Sequence, residues 1–357
     1  MQIDMHFYGT YAVARIAGFS PDLAKTVATA AQFVDEAVSA TPINLGGRSY
    51  QLPVVSSHKL SEISKNFDQM DQWNVWVPFH FLPGGEGGGA DEHLICLWGE
   101  PGNKAVDDII ELALEAGASR KRYALHLLGI VSHVIQDTYA HYGFSGMSSD
   151  LNEVDQSTLN PIDVKEVGNY IQGKLNKFWE RVGASFAEAT KLGHAGVATF
   201  PDRPYLKWEF EYESTLGIDI DYLQEPHDNR TTFFMACTRL HAVFTAFLNG
   251  QTSIEAEGGH LSFADDVAAE IQAIIDEEGT KEQRSQFWRG RINADALFGA
   301  SSEDFDLQYN DTGWEVGIME DNSLAASTEA YQYNRAAYKY LSKVHNEILP
   351  GMGILVG

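Results

Sequence analysis

Apolar residues recur along most of this chain at helical spacing. Ser20-Pro21-Asp22 reads as a helix start, with Ser as N-cap and Pro at the first helical position. Ala24, Val27, Ala28, Ala31, Val34 and Val38 then mark one face of a helix running to about Ala40. Val106 to Ala116 reads as a short amphipathic helix stopped by Gly117, and Ser119 opens a long helix that reaches Tyr142 and ends at Gly143. Further helices are predicted over about 164–192, 231–248, 263–278, 282–292 and 325–348. Residues 41–79 differ: Pro42, Gly46-Gly47 and Pro53 stand among β-branched and aromatic residues and predict loops with a short hairpin. The five glycines between Gly84 and Gly89 predict a flexible loop. There is no internal repeat and no linker-like stretch. The pattern predicts an all-α fold, one multi-helix domain over 1–357 with irregular insertions; a separate C-terminal helical subdomain from about residue 255 is the alternative division.

The long helix carries the most informative pattern. In YALHLLGIVSHVIQDTYAHY, residues 123–142, the positions His126, Ile130, His133, Asp137 and His141 follow one another at steps of four, three, four and four. Those steps put them on one helix face. Leu127, Leu128, Val131, Val134 and Ile135 flank that stripe, so the helix is expected to be buried. A buried carboxylate and several imidazoles cost several kcal/mol unless paired or bound to a cation. A metal ion satisfies all of them at once, and neutral imidazole with carboxylate suits Zn²⁺ and related ions. One buried histidine is ordinarily a hydrogen-bonded core residue, and His126 is read that way or as a support to the ligands; His133, Asp137 and His141 are read as ligands. Asp35 repeats the motif singly on the apolar face of its own helix. His6, two residues after Asp4, precedes the apolar start Tyr8, Ala12, Val13 and Ile16. His58, His93, His227 and His241 are read as loop, surface or core residues.

Composition narrows the functional classes. Hydrophobic residues make up 44% of the 357 and charged residues 21%, an ordinary globular balance with material for a large core. The net charge of −25 repels phosphate backbones and anionic membranes at long range, so no stable nucleic-acid complex is expected. Catalysis on a phosphodiester stays open, because bound cations reverse the field locally. Cys96 and Cys237 exclude a disulfide framework. No apolar run approaches the ~20 residues that cross a bilayer. Met1-Gln2-Ile3-Asp4-Met5-His6 has neither a basic n-region nor an apolar h-region. The expected location is therefore the cytoplasm, or outside it by a route that reads no N-terminal signal peptide. There is no Walker A, GxSxG or dinucleotide fingerprint.

The order of these residues resembles a known family. An early His6, Asp35 in an alanine-rich helix, Phe79-His80-Phe81, His133-Val-Ile-Gln-Asp137 and then His141 resemble the zinc-dependent phospholipase C fold shared with fungal single-strand nucleases. HFYGTYAVARIAG, AAQFVDEA, PFHFLPGG and HVIQDTYAHYGFSG also resemble a poorly characterised bacterial family of the same superfamily. The motifs cover mainly residues 1–145, and His-x-x-x-Asp is the most specific of them. The resemblance implies that His6, Asp35, His80, His133 and Asp137 hold metal, with His141 serving an adjacent ion. The family's last pair, His-x-x-x-Glu, has no clear copy; His194 with Asp202 is the nearest candidate. The family also uses a free N-terminal Trp as a ligand. This chain starts Met1-Gln2, so that ligand is expected to be absent or replaced, with Asp4 as the candidate.

The expectation is a phospholipase C-like, zinc-dependent phosphoester hydrolase with two or three ions. Asp137 would bridge metals, and Asp35 would hold a metal or orient the attacking water. Phospholipid head groups are the first substrate class by resemblance, and nucleic acid is the second. The competing class is a metal-stabilised, non-catalytic binding or effector-assembly protein.

Overall fold

The computed structural model describes residues 1–44, 50–59, 63–66, 68–89, 91–162, 173, 191–214, 217–254, 262–314 and 327–356. The helix expected over 164–192 lies almost wholly outside the described residues. The rest is mainly helical, as the periodicity predicts. A π-helical turn (Asp4–Gly9) leads into α1 (Thr10–Ile16), and Ser20 in extended conformation precedes α2 (Pro21–Glu36). The short hairpin pairs β1 (Ile43–Asn44) with β2 (Tyr50–Gln51). A second π turn (Gln72–Trp76) enters α3 (Val77–His80). Then come α4 (Lys104–Ala118) and α5 (Ala124–Ala140). A small antiparallel sheet follows, in the order β3 (Asn160–Ile162), β4 (Lys207–Glu209), β5 (His227–Asp228). The C-terminal third holds α6 (Asn229–Leu248), α7 (Asp265–Asp276), α8 (Lys281–Asn293) and α9 (Glu329–Lys343).

Helix α5 is the axis of the molecule. Every residue from His126 to Ala140 is buried, with α2, α3, α4, α6 and α9 packed around it. A helix enclosed on all sides has no polar face to give to solvent, so its few polar residues must serve one another or a ligand. The contact with α2 is close at Gly129, where a Cβ would stand 2.4 Å from the Val27 carbonyl oxygen and 2.5 Å from Ala30 Cβ. Any side chain there would force the two helices apart.

Two expected helix ends differ. Gly117 does not stop α4; a Cβ at that position would stand 2.5 Å from the Phe247 ring, so the glycine admits α6 instead. Ser119 closes α4 rather than capping α5, which begins only at Ala124. Gly143 does end the α5 segment, at φ +85°. The glycine loop at 84–89 is held in place: the Glu92 carboxylate accepts the N–H groups of Gly89 and Gly217, each at 2.6 Å.

Helix α6 is long and apolar enough, by length and composition, to cross a membrane. It is nevertheless packed against α5 and α4, and its Arg239 meets Asp107 at 2.5 Å. One apolar core runs from Met1 and Met5 through α2, α4, α5 and α6 to Ile348 and Leu349. Both cysteines are buried and unpaired.

His227, expected in a loop, is buried in β5 between the rings of Tyr142 (4.2 Å) and Trp208 (4.4 Å). Burial pushes its pKa down to about 3. The native state therefore stays neutral where the unfolded chain, near 6.5, takes a proton. The stabilising contribution is full above about pH 6.5 and falls toward about pH 3, by up to about 1.4 kcal/mol per pH unit. In chelator-treated protein, the urea midpoint should drop more steeply from pH 7 to 5 for the wild type than for His227→Phe. Parallel pH profiles would remove His227 as a cause.

Candidate metal centre

The polar stripe of α5 faces the N-terminus, α2 and α3. His133 and Asp137 are one turn apart, with His133 Nε2 3.1 Å from Asp137 Oδ2. Asp35, from the end of α2, and His80, from the end of α3, reach the same spot. His80 Nδ1 lies 3.2 Å from Asp137 Oδ2 and 4.0 Å from Asp35 Oδ1. The other carboxylate oxygen of Asp137 faces a different group, with His6 Nε2 at 3.3 Å and the Met1 α-amino nitrogen at 2.5 Å. That amine also lies 3.3 Å from Asp202 Oδ1 and 3.4 Å from His141 Nε2. His141, His194 and Asp202 form a third group, with His141 Nε2 3.4 Å from Asp202 Oδ1. His6, Asp35, His80, His133, Asp137, His141, His194 and Asp202 thus lie in one connected cluster.

Backbone carbonyls orient the imidazoles. His133 Nδ1–H donates to the Ala31 carbonyl at 2.9 Å and His80 Nε2–H to Ser56 at 2.8 Å. His141 Nδ1–H donates to the carbonyl of His80 at 2.9 Å and His194 Nδ1–H to Ala198 at 2.7 Å. Each bond fixes one tautomer and leaves the other nitrogen as a lone pair turned into the cluster, the arrangement that outer partners impose on metal-ligating histidines. In consequence His80 Nδ1 and His133 Nε2 face each other lone pair to lone pair at 3.2 Å, which only a proton or a cation between them relieves. His6 makes no hydrogen bond through either ring nitrogen although it is fully buried and stacked on His133 at 3.9 Å. Its Nε2 is near Asp137 but not in hydrogen-bonding geometry, as when both aim at a common point. Nitrogen and carboxylate donors held this way fit ions of the zinc type.

The electrostatics of His6 and His194 agree, whereas for His80 burial lowers the pKa but the Asp137 and Asp35 carboxylates outweigh it and raise it. Burial pushes the pKa of His6 down to about 3 and that of His194 to about 4, so both are neutral donors near pH 7. Burial alone would raise the Asp137 pKa, but His141, the Met1 ammonium, His133 and His6 outweigh it and keep the carboxylate ionised. For the Met1 amine, burial opposes the charge, while Asp137, Asp202 and Asp35 raise its pKa to about 10.

The loop with His194 and Asp202 is built on a second small core of Phe81, Phe144, Val197, Phe200 and Trp208. Asn229, at the start of α6, fastens it, donating to the Phe200 and Arg203 carbonyls at 2.8 Å each and accepting from Trp208 Nε1–H at 3.1 Å. Phe81 stacks on His141 at 4.9 Å, which joins this core to the cluster.

One expectation changes. Asp4 does not replace the N-terminal ligand. It is buried in an ion pair with Arg284 of α8, whose Nε–H and Nη2–H donate to it at 2.7 and 3.2 Å while Nη2–H also reaches Gln2 at 2.8 Å. The α-amine of Met1 occupies the place expected for Asp4. His126, on the same helix stripe, is two turns away and pairs with Glu329 at 2.6 Å. The amine and Arg284 escape sequence reading for different reasons: a terminal amine is not a side-chain letter, and Arg284 acts across 280 residues.

A family profile described as a family of unknown function, DUF6765, matches residues 1–348. No curated protein and no solved structure matches the chain.

Proposed function

We propose that this chain, which belongs to the DUF6765 family, is a zinc-type, metal-dependent phosphoester hydrolase. The observation that carries the reading is Asp137. Its two oxygens face two different donor groups from the last turn of a fully enclosed helix, the placement expected of a carboxylate shared by two cations. His133 has one free nitrogen and lies on the Oδ2 side. The donors therefore divide into Asp35, His80, His133 and Asp137 Oδ2; His6, the Met1 amine and Asp137 Oδ1; and His141, His194 and Asp202. Three ions would be held.

Bound there, such ions would withdraw charge from phosphoryl oxygens and ease ionisation of water at neutral pH. The chain's own residues do the rest. Asp137 would present one oxygen to each of two donor groups. The carbonyls of Ala31, Ser56, His80 and Ala198 keep the imidazoles aligned without reorganisation. Asp35, with 32% of its side chain exposed while Asp137 has 1%, is the carboxylate that incoming water meets, and its oxygens orient that water.

The test is metal analysis of the purified chain followed by hydrolysis of bis-p-nitrophenyl phosphate with and without chelator. Bound zinc-type metal with chelator-sensitive turnover is expected. Bound metal without turnover of any phosphoester would leave the non-catalytic, metal-stabilised class. Absence of metal after reconstitution would end the reading altogether.

A further inference from the structure

Among the described residues, the cluster opens on the side of Asp35. His6, His133 and Asp137 are sealed, and the most exposed of its carboxylates is Asp35. A cavity of about 400 Å³ lies there, with Asp35 and Met1 on its floor. Its walls are Gln2, Gln32, Glu36 and Arg203, with Lys281 and Glu282 from the first turn of α8. Among the described residues, Ile3 is, besides Met1, its one aliphatic lining residue. The size falls within the ~300–1,000 Å³ of small-molecule sites, but those are mostly apolar and this one is not.

We propose that this cavity takes a small, water-soluble phosphoester whose leaving group carries hydroxyl or ammonium groups, and not a phospholipid in a bilayer. The proposal rests on the hydrolase reading and narrows its substrate. An acyl chain laid across Glu36, Lys281, Glu282 and the two glutamines would strip them of water without offering a hydrogen bond in return, at a cost of several kcal/mol. A polyol or amino alcohol replaces that water bond for bond. Walls of both signs suit the same ligand: Arg203 and Lys281 favour the phosphate, and Glu36 and Glu282 favour an ammonium or hydroxyl beyond it. None of the exposed large apolar side chains among the described residues lines the cavity, so these residues give its mouth no apolar rim for lipid. The net charge of −25 adds repulsion from an anionic surface.

The experiment compares glycerophosphoethanolamine with the same headgroup in vesicles of phosphatidylethanolamine and phosphatidylcholine. Metal-loaded protein is used at matched accessible headgroup concentration. Initial rates are measured together with calorimetric binding of the soluble ester and co-sedimentation with the vesicles. The soluble ester is expected to give at least tenfold higher kcat/KM, with no co-sedimentation. The double variant Glu36→Gln, Glu282→Gln should raise KM for the ester about tenfold at unchanged metal content. Vesicle hydrolysis equal to or faster than that of the ester overturns the proposal, and so does a double variant with unaltered KM. If no phosphoester at all is turned over, including bis-p-nitrophenyl phosphate, the hydrolase reading fails by itself. The cavity is then judged by calorimetry, where absence of binding by glycerophosphoethanolamine overturns the proposal as well.

Discussion

Asp137→Asn is expected to lower metal content by at least one ion per chain and phosphodiester turnover by at least about 10²–10³-fold, the scale of losing one preorganised charged group. Asparagine keeps the shape of the side chain, so the steric fit inside α5 is preserved. What is lost is the charge between two donor groups. In the native site Asp137 Oδ1 meets the Met1 amine and His6, and Oδ2 meets His80 and His133. A neutral amide bridges two cations poorly, and its NH₂ would point donors at nitrogens that are themselves held to face it. The helical circular dichroism should largely survive, because α5 remains enclosed by α2, α4, α6 and α9. Stability should fall by about 3–5 kcal/mol in metal-free protein, since the buried Met1 ammonium loses its nearest counter-charge. Metal stoichiometry and turnover belong on the same sample. Wild-type values of both would remove Asp137 from the mechanism.

The second large effect concerns the amine. A single glycine placed before Met1 turns the α-amine into an amide with neither charge nor an available lone pair. The extended chain should hold one ion fewer and lose turnover on the order of 100-fold, the upper end of what a change beside metal ligands costs. The same residue added after Gly357 should do nothing. Because the ammonium lies between Asp137 and Asp202, an ion entering beside it must displace its proton, and loading the starting chain should release protons. An extended chain that binds metal and turns over like the original would show that the amine is a bystander.

Much of this was readable from residue order because it is local. The four-three-four-four spacing on α5 places His133, Asp137 and His141 on one face whatever surrounds them, and the flanking leucines and valines predict the burial that makes them informative. Asp35 stands out for the same reason. Helix ends were less readable: Gly117 looks like a stop, yet its missing side chain is used by Phe247 of a helix more than a hundred residues later. A glycine's local meaning and its packing meaning cannot be separated by spacing alone. His194 and Asp202 sit in irregular backbone with no period, and only resemblance pointed to them. Asp4 was misplaced because its partner, Arg284, belongs to a helix that carries no sign of the N-terminus in its own pattern.

That last pair sets a timetable. Asp4 and Gln2 are held by Arg284, which lies 280 residues from Asp4 along the chain. At roughly 5–20 residues per second, Arg284 leaves the ribosome some 15–55 s after the residues it will hold. Through that interval α5 can form and the Met1 amine can meet Asp137 and Asp202, but Asp4 and Gln2 lack the guanidinium that holds them. The buried charge of Asp4 thus waits for its counter-ion until late in synthesis, and the π-helical turn that begins there is fixed by a residue made long after it.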